Sequence, residues 1–404
     1  MAKLHPHSVD LLIPVYHYFK NTAGSSKYGR AIAYEYTKAS TMQVRELCET
    51  YQTPPLVTSS WMLGRIGEAL DQTAGVIKAR QLGLLKYKPM ICLTGRDPIA
   101  NRAFLPYLQD AFEVIEDPKT INSLGKQRVL PRFDTYLMYF NDEIYGHSSE
   151  YEPALAKFMQ ERGLDPYPFK LKDITKSIAQ DYLRSHGVKA SDQFVTLHIR
   201  EEGYVDSSAH AARNTPAVNF QKSVDYLIKQ GFKVIRIGHG KMSTLKAQPG
   251  FLDLTQQQRP SEVDLYLSAE NIFYFGTSSG PLSVAFQSGK PYLLIDVFPF
   301  ATARQNGVNS IMDFYDKSTG NLLSFETLKS MDLDLIFSND VFRRAGIEHR
   351  YADENKILDS VKEMLSFHAK CDLVKENEAV AKRKAELGIH ESVIFTSSSL
   401  ERCM

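Results

Sequence analysis

The chain is poor in cysteine, has a single tryptophan and carries almost no excess charge. Its four cysteines, Cys48, Cys92, Cys371 and Cys403, form no CxxC pair and no metal-ligand spacing. That excludes a disulfide scaffold or a zinc ribbon and predicts reduced thiols in a cytoplasmic protein. Lys plus Arg number 48 against 47 Asp plus Glu, a formal charge of +1. The global attraction expected of a dedicated nucleic-acid binder is therefore missing, although a local basic cleft for a small anion stays open. No stretch reaches about 18 apolar residues, so no membrane span is expected. The opening MAKLHPHSVD lacks the basic region and apolar core of a signal peptide. Walker-type GxxxxGK[ST] and HExxH motifs are absent, as are repeats and low-complexity tracts.

What is present reads as a folded α/β protein. Hydrophobic residues make up 43% and charged residues 24% of 404, a balance that supports a core and favours two domains. In the first half, VDLLIPV (9–15), KPMICLTG (88–95), FEVIED (112–117) and DTYLMYF (134–140) are strand-like. Helical stretches at 31–51, 65–85, 99–109 and 150–162 separate them. GLDPYPFK (163–170) reads as a linker. Beyond it, helices with Asp173, Asn219 and Ser261 as caps alternate with strands at 194–199, 233–238, 251–254, 271–276 and 292–297. A short helix over 281–289 starts at Pro281, and the charged run at 375–387 reads as a solvated helix face. The expected domains are 1–170, 171–365 and a helical tail, 366–404, that could cross back to the first. Ligands of doubly wound sheets bind at the strand carboxyl ends.

Three clusters could carry chemistry there. In LHIREEGY (197–204), strand alternation sends His198 and Arg200 to one side and Leu197 and Ile199 to the other. Arg offers a rigid fork of donors that suits phosphate oxygens, while a core histidine beside an Arg–Glu pair would show the same spacing. In FYFGTSSGP (273–281), a strand runs through Gly276, Thr277, Ser278, Ser279 and Gly280 into a helix N-terminus, a natural seat for phosphate. An ordinary capped turn would look alike. In KVIRIGHGKM (233–242), Gly238, Gly240 and Ser243 imitate a dinucleotide fingerprint without its third glycine, and His239 and Lys241 flank the turn.

The blocks LHIREEGY, Arg213–Asn214, VIRIGHGKM and VDLYLSAENIFYFGTSSG occur in order over residues 194–291. Together they resemble a family of bacterial glycosyltransferases of surface-polysaccharide gene clusters. The HIR triplet is more distantly similar to fucosyltransferase-like proteins. The resemblance reaches the first half only at LGRIGEALDQTAG (63–75), and His239 departs from the acidic residue usual in the family.

The resemblance implies a GT-B-like fold, two Rossmann-like domains facing a cleft. The second would hold a nucleotide-sugar donor as co-substrate, with no bound metal, and the first an acceptor-side surface. His198, Arg200, Tyr204, Arg213, Asn214, Gly238, His239, Thr277, Ser278, Ser279 and Gly280 are the implied donor-binding residues. Glu68, Asp97 and Glu201 are the candidates for the acceptor base. The acceptor would be a glycan or a lipid-linked molecule, which leaves peripheral membrane association open. A GT-B-fold sugar-nucleotide epimerase and a non-catalytic sugar-nucleotide-binding scaffold are the alternatives.

Overall fold

The computed structural model describes residues 63–126 and 152–403 apart from short gaps (86–87, 95–97, 202–212, 301–302, 305, 335, 337–338, 371–377 and 390–392). It also describes isolated positions between 42 and 57 and three short strand pieces between 132 and 146. The strand expected over 9–15 and most of the 31–51 helix lie outside the described residues. The chain divides into two compact units, residues 1–170 and 171–404.

In the first unit the described elements are β1 (Leu56–Val57), α1 (Ile66–Gln81), β2 (Met90–Cys92), α2 (Leu105–Ala111), β3 (Glu113–Ile115), α3 (Pro118–Lys126), β4 (Arg132–Phe133), β5 (Met138–Phe140), β6 (Ile144–Gly146) and α4 (Glu152–Glu161). Four strands form a parallel sheet in the order β3-β2-β1-β4, while β5 and β6 make a separate antiparallel pair. Parallel neighbours need crossovers, and α1 supplies the one from β1 to β2. It buries Ala69, Leu70, Ala74, Val76 and Ala79.

The second unit opens with α5 (Asp173–Ser185), β7 (Phe194–His198), α6 (Gln221–Lys229), β8 (Lys233–Arg236), β9 (Phe251–Asp253), α7 (Ser261–Glu270), β10 (Tyr274–Thr277), α8 (Gly280–Gln287), β11 (Tyr292–Val297) and β12 (Gly307–Ile311). An antiparallel ribbon follows, β13 (Asp313–Asp316) with β14 (Ile347–Arg350), enclosing α9 (Phe325–Ser330) and α10 (Asn339–Arg344). The chain then forms α11 (Glu354–Lys370), α12 (Glu378–Leu387), β15 (Ile394–Phe395) and α13 (Ser397–Cys403). Seven strands build one parallel sheet, β15-β12-β11-β10-β7-β8-β9.

The alternation expected of β7 is realised. Val195, Leu197 and Ile199 pack with Val224 and Leu227 of α6 and with Ile357, Val361 and Met364 of α11. Phe194 faces the other way, onto Ala179 and Leu183 of α5 and Val263 and Leu267 of α7. Each of these strands is covered on both faces, which is why YLLIDV in β11 is apolar nearly throughout and buried at every position. The fold is doubly wound α/β.

Three expected caps are corrected. Asp173 and Ser261 are first residues of α5 and α7, preceded by Lys172 and Pro260 as cap positions without a side-chain cap bond. Asn219 sits inside a short 3-10 turn (Ala217–Phe220), and its amide donates to the Ala352 carbonyl instead of capping α6. The tail also differs from a purely helical appendage, because β15 pairs with β12 and the segment belongs to the second unit. In α12 the charged run is not a fully solvated face: Lys384 is wholly buried and its Nζ donates to the Val393 carbonyl.

Candidate functional site

Reading outward from β7, the sheet places β8 and β9 on one side and β10, β11, β12 and β15 on the other. The chain therefore reverses its winding between β7 and β10, and crevices of such sheets open at the carboxyl ends of the two strands beside that point. His198 ends β7 and Thr277 ends β10.

Close approach of these strand ends depends on Gly276. It pairs with His198 in the ladder, has φ 146°, and a Cβ there would stand 1.9 Å from the His198 carbonyl oxygen. Immediately beyond, the Arg200 backbone N–H donates to Thr277 Oγ1 at 2.7 Å. Arg200 Nε donates to Asn214 Oδ1 at 3.2 Å, and the Thr215 hydroxyl donates to Asp296 Oδ2 at 2.8 Å. Asp296, at the carboxyl end of β11, also accepts from the Ala352 N–H. The Arg213–Asn214–Thr215 segment is thus tied to both β7 and β11.

The second turn starts α8. Ser279 holds its N-cap position, where a serine ordinarily caps its own helix. Here its Oγ contacts Tyr274 Oη at 2.8 Å and His198 Nδ1 at 2.9 Å, and it makes no cap bond. Gly280 is the first residue of α8, with Pro281 next. The positive end of α8 is therefore left without a side-chain cap at the carboxyl edge of the sheet. Ser278 is half-buried between Thr277 and this helix start.

Burial is the main cause that pushes His198 down to about 3, with the charge of Arg236, His239 and Arg200 adding to it. His198 is accordingly a neutral imidazole at any physiological pH. His239 is lowered as well, first by burial, with Glu201 opposing and Lys241 adding to the shift. Asp296 is raised to about 6 by burial, against the hydrogen bonds from Thr215 and Ala352 and the charge of Lys356.

Glu201 occupies a different environment from the one expected of a base. One oxygen accepts from Arg236, and the other accepts from the Ser243 N–H and hydroxyl at 2.9 and 2.6 Å. Arg236 is completely buried and also reaches Asp253 at 3.2 Å. The trio fastens the β7 exit to β8, β9 and the Ser243 turn. Gly238 has φ 157°, and a Cβ on it would run into Met242 Sδ at 2.2 Å. Its carbonyl accepts from Arg259, whose guanidinium also forks onto Asp264. His239 Nδ1 accepts from the Lys241 N–H at 3.3 Å. This turn is shaped by packing and internal hydrogen bonds, not by a dinucleotide-type helix start.

Of the residues singled out from sequence, Arg200 is hydrogen-bonded to Thr277 and Asn214, and His198 to Ser279. Arg213 and Gly280 neighbour members of that group in sequence. Glu68 is half-buried in the first turn of α1, in the other unit. Asp97 and Tyr204 lie outside the described residues. Sequence reasoning missed Tyr274 and Asp296. A lone acid at the end of an apolar strand, as in YLLIDV, is the signal that marks Asp296. Among the described residues, no group of three or more His, Cys, Asp and Glu side chains is placed to hold a metal ion.

No family model and no curated protein sequence matches the chain. Solved structures of slight similarity include a glycosyl transferase family 9 protein from Veillonella parvula, 14% identical, matched over 60% of this chain and 61% of its own length, with a TM-score of 0.26. The iron-containing dodecameric glycosyltransferase TibC of enterotoxigenic E. coli is 16% identical over 60% of this chain and 57% of its own, with a TM-score of 0.32. E. coli ADP-heptose LPS heptosyltransferase II is 11% identical over 63% and 84%, with a TM-score of 0.35. The chain spans about three fifths of the length of the first two proteins.

Proposed function

We propose that the chain is a glycosyltransferase that takes its sugar from a nucleotide-activated donor and binds the donor's diphosphate at the carboxyl ends of β7 and β10. The observation that carries this reading is the meeting of three separated sequence segments, 198–200, 213–215 and 276–280, at the switch point of a doubly wound sheet. Those segments hold an arginine, an uncapped helix N-terminus and a neutral histidine, which suit anionic oxygens. They are also the segments in which the sequence resembles bacterial polysaccharide glycosyltransferases.

In this reading Arg200 meets the diphosphate and stabilises the charge that grows on it as the glycosidic bond to the leaving group breaks. Asn214 holds the Arg200 guanidinium at Nε, and Thr277 holds its backbone. The α8 N-terminus takes a second phosphate oxygen or the ribose, with Ser278 beside it. The positive charge of these groups does the work that a bound metal does elsewhere. Glu201, with both oxygens engaged, acts as a positioning group for the strand end. The base that deprotonates the acceptor is then sought in the first unit, where Glu68 and Asp97 are the candidates. Residues 1–170 would be the acceptor side and 171–365 the donor side, and a glycan or lipid-linked acceptor completes the reaction.

Thermal shift with UDP, GDP, CDP, CMP, ADP and their sugars, on wild type and Arg200→Ala, tests the reading. A ligand at about a hundredfold its Kd stabilises by about 2.7 kcal/mol. One nucleotide is expected to shift the wild type, and Arg200→Ala to lose about 2–4 kcal/mol of transition-state stabilisation in turnover. No shift at millimolar concentration would contradict it, and donor conversion without acceptor would favour an epimerase.

A further inference from the structure

The hydrogen-bond chain behind His198 determines which of its nitrogens carries the proton. Tyr274 is wholly buried in β10, and its phenol oxygen lies 2.8 Å from Ser279 Oγ, which lies 2.9 Å from His198 Nδ1. Two hydroxyl protons must be distributed over this chain. The phenol has no other hydrogen-bond partner among the described residues, and a buried O–H without an acceptor is costly. Tyr274 therefore donates to Ser279. Among the described residues His198 Nδ1 is then the acceptor left for the Ser279 proton, and it takes that proton on its lone pair. A neutral imidazole with a lone pair on Nδ1 carries its proton on Nε2. In the reverse direction, His198 Nδ1–H would donate to Ser279 and Ser279 to Tyr274, stranding the phenol proton in the core.

We propose that Tyr274 is a positioning residue that acts through Ser279 to lock neutral His198 as the Nε2–H tautomer, so that His198 presents a hydrogen-bond donor, not a base, to a phosphate oxygen. The identity of the ligand rests on the nucleotide-donor reading above; the tautomer does not. Nε2 makes no hydrogen bond among the described residues, so that proton is available to an incoming acceptor. The charged and titratable neighbours of the ring, Arg236, His239 and Arg200, oppose protonation, and a hydrogen bond with the residue's own backbone favours it. Burial works in the same direction as those neighbours. A neutral donor next to Arg200 attracts an anionic oxygen without adding a second buried charge that must be neutralised when the site is empty. The arrangement also explains why the N-cap serine of α8 is diverted from its own helix.

Long-range nitrogen–proton NMR of the full chain labelled at histidine reads the tautomer directly. The His198 resonances are assigned by their loss in His198→Gln. The expected spectrum has a protonated-type Nε2 and a lone-pair-type Nδ1, unchanged between about pH 5 and 8. Tyr274→Phe, which removes only the phenol oxygen from a buried ring, is expected to move the Nδ1 signal because Ser279 loses the partner that orients its hydroxyl. A protonated Nδ1 in the wild type, a titration within that range, or an unmoved signal in Tyr274→Phe would overturn the assignment.

Inorganic pyrophosphate is the probe for the donor role. His198→Gln, whose amide nitrogen can take the place of Nε2, is expected to keep affinity within about threefold, while His198→Asn loses about tenfold. Equal losses in the two variants would overturn the donor role. Failure of the wild type to bind pyrophosphate would overturn the nucleotide reading while leaving the tautomer to the spectrum.

Discussion

Burial acts in opposite directions on two ionisable residues at the carboxyl edge of the second sheet, raising Asp296 and lowering His198. Arg236 is buried between Glu201 and Asp253, and removing either partner of such a buried arrangement leaves an uncompensated charge. Among the described residues Asp296 has two hydrogen-bond donors and no salt-bridge partner; it sits at φ 52° and is raised to about 6. The folded state therefore holds a proton on Asp296 that the unfolded chain, with its ordinary value of 3.8, releases earlier. The stabilisation from that proton is complete below the unfolded value and is lost as pH rises toward 6. Asp296→Asn keeps a hydrogen-bonding amide and a side chain tolerant of positive φ. Its stability relative to wild type is expected to rise by a few kcal/mol between about pH 4 and 6 and then level off. Urea unfolding across that range checks this, and a flat difference would contradict the buried-acid account.

His198 has the opposite sign. Its folded pKa is depressed, so its contribution is present above the unfolded value and declines as pH falls toward about 3. The pairing of His198 with Arg200 was legible from strand alternation. The neutrality of His198 was not, because it comes from packing contributed by segments far away in sequence.

At the scale of elements, the most constrained position is the glycine that ends β10. Gly276→Ala would drive a methyl group into the His198 carbonyl, so strand β10 and the β7 exit must separate. The expected cost is on the order of 3 kcal/mol, accompanied by loss of nucleotide binding. Urea denaturation and thermal shift measure the two effects, and wild-type behaviour in both would contradict the close approach. Strands and helices of the second unit were legible because apolar runs and helical stretches alternate cleanly there. Caps were not. Asp173, Asn219 and Ser261 have the right chemistry for the cap position, but tertiary contacts set the helix starts one or more residues away. The α12 run looked solvated because its charges dominate, yet a single lysine, Lys384, is spent on the Val393 carbonyl inside the fold.

At the scale of the whole molecule, both sheets begin with the same strand order. The first is β3-β2-β1-β4, and β9-β8-β7-β10 is its counterpart in the second. The doubly wound class could be read from alternating elements, but the order could not, since it depends on which side of the sheet each crossover returns. The closing strand β15 was missed because two residues give no periodic signal. The second unit contains its own sheet and its own apolar clusters. Residues 171–404 expressed alone are expected to unfold cooperatively and to bind the same nucleotide as the full chain within about threefold, read by thermal shift. A fragment without a cooperative transition would contradict that independence.

The proposed donor site lies at the carboxyl ends of β7 and β10. Hydrogen exchange with and without the nucleoside diphosphate that stabilises the protein most tests it directly. Slowed exchange is expected in peptides covering 197–201 and 276–282, with little change along β12 and β15. Protection confined to any other region, with those two peptides unaltered at saturation, would contradict the account.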